Sequence, residues 1–313
     1  MISQRFTVII VNYNGVDFLV PALDSLIESG INVHQIILVD NGSSDHSTTL
    51  INNKYPEATL IRNGCNAGFA AAVNRGLRLV QTEFSLLFNN DALIDSRALS
   101  ELGSVFDEQP KAAILGARLI NLDGSTQNSI APYPTLFNEV IKHKKLKNSR
   151  YNSPTKVESV IGACLAVRMS SLKKTGFLDE TFFFFLEETE LCWRAAQLGY
   201  EIYYVPGAIA THFQGGTANK FRTEARIEFQ RSKLIYYKKV GGTNAWIAAS
   251  FILTAKSLIN FLSNFMVFIL SLGSSKSYRV KSTGYLKILL WHLLFRPSSW
   301  GLPNKCGKSE ISQ

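Results

Sequence analysis

The sequence has few cysteines, and no two of them lie close together. Its 313 residues include only Cys65, Cys164, Cys192 and Cys306, with no CxxC motif. This spacing argues against a zinc knuckle or a disulfide framework and predicts a protein of a reducing compartment. We also expect no secretory signal, because the short segment before Phe6 leads directly into a strand-like run. We therefore expect a cytoplasmic protein.

Charged residues are moderately frequent, and basic residues outnumber acidic ones. The formal net charge is +9, with 46% apolar and 18% charged residues, a composition typical of chains that fold. A positive chain suits an anionic partner such as nucleic acid, a phosphorylated substrate or an acidic membrane, although solubility alone also accounts for it. The basic group at residues 142–150 contains no aromatic side chain to stack on bases. We therefore expect no nucleic-acid partner.

The first part of the chain alternates between strand-like and helix-like patterns. Phe6–Val11 is a continuous apolar run, as expected for a strand buried on both faces. Further strands are predicted at Gln35–Val39, Ala58–Ile61 and Phe84–Phe88, with a helix over Gly68–Val80. Repeated strand, crossover helix and strand predict an α/β fold, with a mostly parallel sheet and helices on both faces.

Polar clusters directly follow several of these strands. They are Asn12-Tyr13-Asn14, Asp40-Asn41 and Asn89-Asn90-Asp91. Because ligands of such sheets bind outside the carboxyl ends of the strands, the clusters should converge on one crevice. No GxGxxG or GxxxxGK[ST] motif follows any of the strands, so a nucleotide in this crevice would be held in another way.

Two acidic segments are candidates for chemistry. Asp91, at the end of a strand, can hold a divalent cation against a diphosphate, although Asn-Asn-Asp is also an ordinary turn sequence. The cluster Glu187–Glu190 follows an aromatic run, Phe182–Phe185, and partial desolvation there would raise a carboxyl pKa and suit a general base. The alternative is an acidic first helical turn that complements the helix dipole. His212 becomes a candidate metal ligand only if Asp91 reaches it.

The carboxyl-terminal part of the chain is markedly apolar. Trp246–Leu272 is long enough to span a bilayer, but polar residues such as Lys256 interrupt it, so an interfacial or paired helix fits equally well. The alternative is packing on the rest of the protein or at a homodimer interface. The polar, basic stretch at about 124–156 predicts a mobile loop over the crevice. We predict two domains, residues 1–240 and an apolar, basic helical region at 241–313.

Taken together, the clusters resemble the family-two glycosyltransferases of the GT-A fold, especially the bacterial branch that contains rhamnosyltransferases. The resemblance runs over about residues 6–239, and motifs that are weak alone occur in family order. They are Val11–Asn14, Asp40–Asp45, Asn66–Phe69 with Asn74 and Gly76, Asn89–Asp91, Gly176–Asp179, Glu187–Glu190, and Val205 and Pro206 leading to His212. The resemblance implies a GT-A type, Rossmann-like mixed sheet with flanking helices.

The resemblance also implies roles for individual residues. Asp91 takes the last position of a DxD-like motif and would ligate Mn²⁺ or Mg²⁺ at the donor diphosphate, and His212 would complete the metal site. Glu188 takes the position of the catalytic base in a single inverting displacement. The donor-binding positions are Asn12, Tyr13, Asn14, Asp40, Asn41, Asn66, Gly68, Asn74, Asn90 and Asp91. The acceptor or supporting positions are Glu187, Glu190, Trp193 and Arg194.

The acidic cluster departs from the family pattern. It has glutamate at positions 188 and 190, where the family motif Glu-Asp-x-Asp has aspartate. Glutamate keeps nearly the same basicity, but its extra methylene changes its reach, and a misplacement of about 1 Å lowers a rate about 100-fold. An inactive nucleotide-sugar-binding protein is therefore one alternative.

The resemblance implies transfer of a sugar from a dTDP- or UDP-linked donor to a glycan or lipid-linked acceptor in cell-surface polysaccharide synthesis. Rhamnose from dTDP-rhamnose is the expected sugar, and a UDP-hexose donor is the alternative. The apolar segment Trp246–Leu272 and its basic flanks predict a peripheral protein on the inner face of the cell membrane, in contact with its anionic surface.

Overall fold

The structure is a computed structural model that describes residues 2–141, 150–213 and 221–306. Its strands are β1 Phe6–Asn12, β2 Ile36–Asp40, β3 Thr59–Arg62, β4 Phe84–Asn89, β5 Ala92–Ile94, β6 Ala112–Ile120, β7 Ile130–Ala131, β8 Thr155–Lys156, β9 Ser159–Val160, β10 Cys164–Arg168 and β11 Glu201–His212. Its α-helices are α1 Val16–Glu28, α2 Ser47–Lys54, α3 Phe69–Leu77, α4 Ala98–Glu108, α5 Leu136–Val140, α6 Met169–Thr175, α7 Glu187–Gln197, α8 Arg222–Leu270 and α9 Lys276–Leu293. Short 3₁₀ helices occupy Ile2–Arg5 and Val33–Gln35.

A nine-stranded mixed sheet forms the centre of the molecule. Its order is β3-β2-β1-β4-β10-β6-β11-β5, with β8 paired to β11. Strands β1 to β4 are mutually parallel, whereas β10 runs antiparallel between β4 and β6. Strands β7 and β9 form a separate two-stranded sheet. The predicted mixed sheet with flanking helices and a carboxyl-terminal apolar helical region is confirmed.

The long apolar strands are buried on both faces. In β1, Val8 and Ile10 pack in the cluster that contains residues of α1 and α4. Ile9 points to the other face and packs with residues of α3 and α7. Each fully buried side chain of this size contributes about 1.5–3 kcal/mol relative to exposure. This double-sided core holds the carboxyl ends of β1, β2 and β4 in fixed positions.

The stretch at 124–156, predicted to be a mobile loop, contains regular structure in its described part. Strand β7, helix α5 and strand β8 all lie within it. The prediction is therefore wrong for these residues, because Ile130 and Glu139 are buried against neighbouring elements. The lysines of the basic group, Lys142, Lys144, Lys145 and Lys147, lie outside the described residues.

The carboxyl-terminal helices α8 and α9 pack against each other. Ile227 and Leu253 of α8 form a third core cluster with Ile288 and Trp291 of α9. Helix α8 is interrupted at Gly242, whose φ of 69° and ψ of −165° are not helical, so α8 consists of two helical segments joined at this residue. Among the described residues, α8 is the one helix long and apolar enough to cross a membrane, and only 11% of its most apolar window is buried. The division into two domains after residue 240 stays a prediction.

The structure corrects the inference drawn from cysteine spacing. Cys65 and Cys306 form a disulfide with their Cα atoms 5.1 Å apart, while Cys164 and Cys192 are free and buried. The two bonded residues are separated by 241 positions in the sequence, so no local sequence motif predicts the disulfide. The cysteine spacing therefore gives no indication of a reducing compartment.

Candidate active site

A cavity of about 460 Å³ opens beside the carboxyl ends of β1 and β4. Its volume is within the usual range for small-molecule sites. The polar clusters predicted to converge do meet at this edge, where Asn12 pairs in register with Asp40 and Val11 with Asn89. The predicted site residues that line the cavity are Tyr13, Asn14, Asn41, Asn66, Gly68, Asn90, Asp91, Glu187, Glu188 and His212.

Asn12 and Asp40 lie under the cavity wall and do not line it. Both are buried, and the Asn12 amide donates to Ser47 Oγ at 2.8 Å. Asn12 Oδ1 accepts from Asn90 Nδ2 at 3.0 Å, which orients Asn90 at the cavity. A Cβ on Gly15 would stand 2.1 Å from Asn90 Nδ2 and 2.6 Å from Asn12 Oδ1, so a larger residue there would displace these two amides. Asn12 therefore supports a cavity residue.

Asn41 and Asn66 form a linked pair in the cavity wall. Asn41 Nδ2 donates to Asn66 Oδ1 at 2.9 Å, and Asn41 Oδ1 accepts from the backbone N–H of Ala67 at 3.0 Å. Gly68 has φ 91°, and a Cβ there would lie 2.7 Å from the carbonyl oxygen of Phe183. The loop after β3 is thereby held along the cavity by side-chain bonds and by a glycine-dependent close approach.

Asp91 and His212 meet, as the metal hypothesis required. Asp91 Oδ1 lies 3.3 Å from His212 Nε2, and both side chains are mostly buried. Gln127 Nε2 donates to carbonyl-type oxygens, including Asn121 Oδ1 at 2.8 Å, so Gln127 Oε1 is an acceptor facing His212 Nδ1 at 3.1 Å. The proton of a neutral imidazole then sits on Nδ1. With this tautomer Nε2 can accept from Asn89 Nδ2, 3.4 Å away, and it also lies beside Asp91. A histidine whose other ring nitrogen is held by a side chain is typical of metal ligands.

The acidic cluster forms the first turn of α7. Phe185 and Leu186, just before it, both have positive φ, a backbone conformation that costs free energy and is often found at functional sites. Glu187 is 4% exposed, and its pKa is raised well above the ordinary value. The larger cause is burial, and the smaller is the neighbouring Glu188 carboxylate. The cluster therefore begins a helix and also places buried carboxyl groups at the cavity.

Glu188 points into the cavity. Burial raises the pKa of its carboxyl group, while backbone N–H groups such as that of Gly162 act in the opposite direction. Its Oε2 is buried and forms no hydrogen bond within the described part of the chain. The carboxyl group of Glu188 is therefore incompletely satisfied by the protein at the wall of the cavity.

The remaining predicted residues do not line the cavity. Glu190 is fully buried and accepts from Arg194 Nε at 2.7 and 2.9 Å, and Lys239 Nζ lies 2.7 Å from it. Arg194 also donates to the carbonyl oxygen of Phe177 at 2.7 Å. These two side chains anchor the segment before α7, and we assign them a structural role.

Asn74 and Trp193 complete the set of predicted residues outside the cavity. Asn74 is buried and donates to the carbonyl oxygen of Leu178 at 2.8 Å and to Glu180 Oε1 at 2.8 Å. Its amide therefore ties α3 to the turn at Leu178. Trp193 is half-buried on α7.

Several cavity residues were not predicted from the sequence. The apolar part of the lining is supplied by Phe18, Phe69, Phe183, Phe184, Phe185, Ile161, Ala163 and Leu302. The sequence marks the aromatic run at 182–185 only as the neighbour of the acidic cluster. Leu302 lies far from every motif, and no signal in the sequence links it to the cavity.

Comparisons with known proteins agree with this geometry. The model of the family "Glycosyl transferase family 2" matches residues 7–176. The low-salt glycan biosynthesis hexosyltransferase of Haloferax volcanii is 25% identical over 245 residues, which is 75% of this chain and 77% of the relative. The N-acetylglucosaminyl-diphospho-decaprenol L-rhamnosyltransferase of Mycobacterium tuberculosis is 24% identical over 213 residues, 59% of this chain and 68% of the relative.

A solved structure shares the fold. The mannosyltransferase of Pyrobaculum calidifontis, in complex with GDP-Man and Mn²⁺, superposes with a TM-score of 0.53 at 16% identity. The match covers 93% of this chain and 86% of that chain. Nearly the whole length of both chains therefore follows one architecture.

Proposed function

Because the chain belongs to glycosyl transferase family 2 and has the GT-A fold, we propose that its cavity binds a nucleotide-sugar and transfers the sugar, with inversion, to an acceptor hydroxyl. One observation carries the proposal: Glu188 and the Asp91–His212 pair line the same cavity from separate elements of the fold. The pair is suited to the diphosphate of the donor, and Glu188 to the proton of the acceptor.

The Asp91–His212 pair fits a divalent cation. Its oxygen and nitrogen are 3.3 Å apart, close to the roughly 3 Å between neighbouring ligands of one octahedral Mn²⁺ or Mg²⁺. Among residues 2–141, 150–213 and 221–306, no third His, Cys, Asp or Glu joins them, so donor oxygens and water would complete the shell. A cation held by these two residues would supply positive charge to stabilise the diphosphate as it departs. Gln127 fixes the imidazole ring for this role.

Glu188 acts as the general base in the proposed reaction. The acceptor oxygen attacks the anomeric carbon from the face opposite the nucleotide, and its proton passes to the Glu188 carboxylate. The bond between the anomeric carbon and the diphosphate oxygen breaks, so inversion follows from one displacement. A carboxyl pKa raised by burial makes the carboxylate a stronger base near neutral pH.

For the substrates, we propose rhamnose from dTDP-rhamnose and a lipid-linked acceptor in cell-surface glycan synthesis. The mycobacterial relative is an L-rhamnosyltransferase whose name gives a diphospho-decaprenol acceptor, and the archaeal relative is a hexosyltransferase of glycan biosynthesis. The polar cavity wall around Asn41 and Asn66 would meet the base and ribose. A UDP-hexose donor is the second candidate, because relatives at this identity differ in their sugar.

We also propose that the far half of α8 lies on an anionic membrane surface. Its apolar side chains are exposed, with Ile259 at 62% and Met266 at 63%, and basic residues such as Lys276 flank it. An amphipathic or apolar helix with basic flanks binds anionic lipid by this combination. The surface would bring the cavity to a lipid-linked acceptor.

The donor assignment is tested by calorimetric titration of the full chain with dTDP, dTDP-rhamnose, UDP and UDP-glucose, each with and without Mn²⁺. We expect metal-dependent binding with dTDP-rhamnose favoured, and a product of inverted anomeric configuration by NMR. Absence of binding for every nucleotide, with Mn²⁺ or Mg²⁺ present, would refute the function. Tighter binding of UDP-glucose would overturn only the choice of donor.

The membrane assignment is tested by flotation with phosphatidylglycerol vesicles, with phosphatidylcholine vesicles as the comparison. We expect binding to the anionic vesicles, loss of it in Met266→Asp, and unchanged dTDP affinity in that variant. A chain that ignores both vesicles and is dimeric by light scattering would show that α8 is a homodimer interface, and the membrane proposal would fail.

A further inference from the structure

The segment at residues 297–306, here called the C-terminal strap, returns from α9 to the donor cavity. Its first part is held by Arg231 of α8, which donates to the carbonyl oxygen of Pro297 at 3.1 Å and also to that of Trp300. Gly301 has φ 117°, and a Cβ there would lie 2.5 Å from Glu228 Oε2. The strap therefore lies against α8 in a backbone conformation that favours glycine.

The far end of the strap is fastened to the loop after β3. Lys305 forms a parallel bridge with Asn66, and the backbone N–H of Cys306 donates to the Asn66 carbonyl oxygen at 2.9 Å. The disulfide joins Cys306 to Cys65. Lys305 Nζ also pairs with the fully buried Glu228 at 2.5 Å. The disulfide is the one covalent link among these anchors.

Between its two ends, the strap contributes to the cavity itself. Leu302 lines the cavity and is 5% exposed. Asn304 Nδ2 donates to the hydroxyl of Tyr13, which also lines the cavity, at 2.7 Å. The strap thus touches the cavity residues Tyr13 and Asn66, from positions far away in the sequence.

We propose that the C-terminal strap is a wall of the donor pocket, held in place by the Cys65–Cys306 disulfide, so that donor affinity depends on the redox state of these two cysteines. The inference rests on the proposed function. A dithiol reductant passes two electrons and two protons to the sulfur atoms, which become two thiols, and is itself oxidised to its disulfide.

Opening the disulfide leaves the end of the strap with non-covalent anchors only. Release of the strap removes Leu302 from the pocket and takes the Asn304 amide from Tyr13. A cavity of about 460 Å³ remains with the strap in place, so the strap bounds the space for a ligand and does not fill it. We therefore expect the oxidised form to bind the donor nucleotide more tightly.

The test uses the full chain, oxidised with diamide or reduced with dithiothreitol, titrated with dTDP and UDP in the presence of Mn²⁺. Thiol counting after denaturation should give two thiols in the oxidised protein and four in the reduced one, since the chain has four cysteines. Reduction should raise the Kd of the nucleotide by about tenfold, the scale of one lost hydrogen bond plus apolar contact.

Two variants separate the strap from general effects of the reductant. Cys306→Ser should bind as weakly as the reduced protein and should not respond to dithiothreitol. Leu302→Ala should weaken nucleotide binding about threefold or more with the disulfide intact. This variant measures the contribution of the Leu302 side chain to the pocket, separately from that of the disulfide. Thermal melting of each variant shows that it is folded.

The outcomes are distinct. If the oxidised protein with two thiols and the reduced protein with four thiols bind the nucleotide with equal Kd values, the strap inference is wrong. It is also wrong if diamide-treated protein still has four thiols. Neither result affects the donor assignment. If the oxidised wild type binds no nucleotide at all, the proposed function itself is wrong.

Discussion

Replacement of Glu188 by glutamine is the sharpest test of the catalytic assignment. Glutamine keeps the shape of the side chain but cannot accept a proton. The cavity residues that we assign to the donor, Asn41, Asn66, Asp91 and His212, are unchanged. We therefore expect kcat to fall by about 10²- to 10⁴-fold, the usual contribution of a general base, while the KM for the donor changes little.

The pH dependence supplies a second measurement on the same variant. Burial raises the pKa of Glu188, so the wild-type kcat should fall as the pH drops through that raised value, and the glutamine variant should lack this limb.

The raised pKa of Glu188 also affects the stability of the fold. Because the folded state holds the proton more tightly than the unfolded state, ionisation opposes folding as pH rises from the ordinary to the raised pKa. Above that window, Glu188→Gln should be at least as stable as wild type.

The assay is initial-rate transfer or hydrolysis of the donor, followed by release of nucleotide across a series of pH values. Glu187→Gln is the matched control, since it makes the same change in the adjacent buried carboxylate. We expect it to lower kcat less than tenfold, because Glu188 carries the proton. Full activity in Glu188→Gln, or a large loss confined to Glu187→Gln, would refute the assignment.

Three further predictions concern the metal pair and the buried ion pair. Asp91→Ala should abolish the Mn²⁺ dependence of nucleotide binding in calorimetry, whereas Asp95→Ala, outside the cavity, should preserve it. Gln127→Leu should weaken Mn²⁺ affinity about tenfold or more by freeing the imidazole ring; unchanged affinity would count against the assigned tautomer. Arg194→Ala should lower the free energy of unfolding in urea by about 3 kcal/mol or more because it deprives a buried carboxylate of a partner, against about 0–1 kcal/mol for the exposed Arg78→Ala.

The sheet and the position of the site were predictable because they depend on local pattern. Four predicted strands begin and end within a residue of the observed ones, since short apolar runs bounded by polar turns are typical of strands. The convergence of Asn12, Asp40 and Asn90 also follows from the sequence, because parallel strands bring their carboxyl ends to one edge. The condition set for His212, that Asp91 should reach it, is met at 3.3 Å.

The direction of each side chain was not predictable. Asn12 and Asp40 follow their strands as expected, yet both lie beneath the wall, and Asn74 turns toward Leu178. In the acidic cluster, Glu188 faces the cavity while Glu190 is buried with Arg194. The two residues are two positions apart within the first turn of α7, so they point to nearly opposite sides of the helix. Which side is buried depends on what the rest of the fold packs against it.

The sequence by itself therefore determined the α/β architecture, the crevice at the strand ends and the candidate chemistry of Asp91 and Glu188. Only the tertiary structure decided which residues enclose the cavity. The clearest case is the Cys65–Cys306 disulfide with Leu302 beside it, which the spacing of cysteines argued against. Spacing reports contacts within one element or turn, whereas this bond joins residues 241 positions apart, brought together by the packing of α8 and α9 on the rest of the molecule.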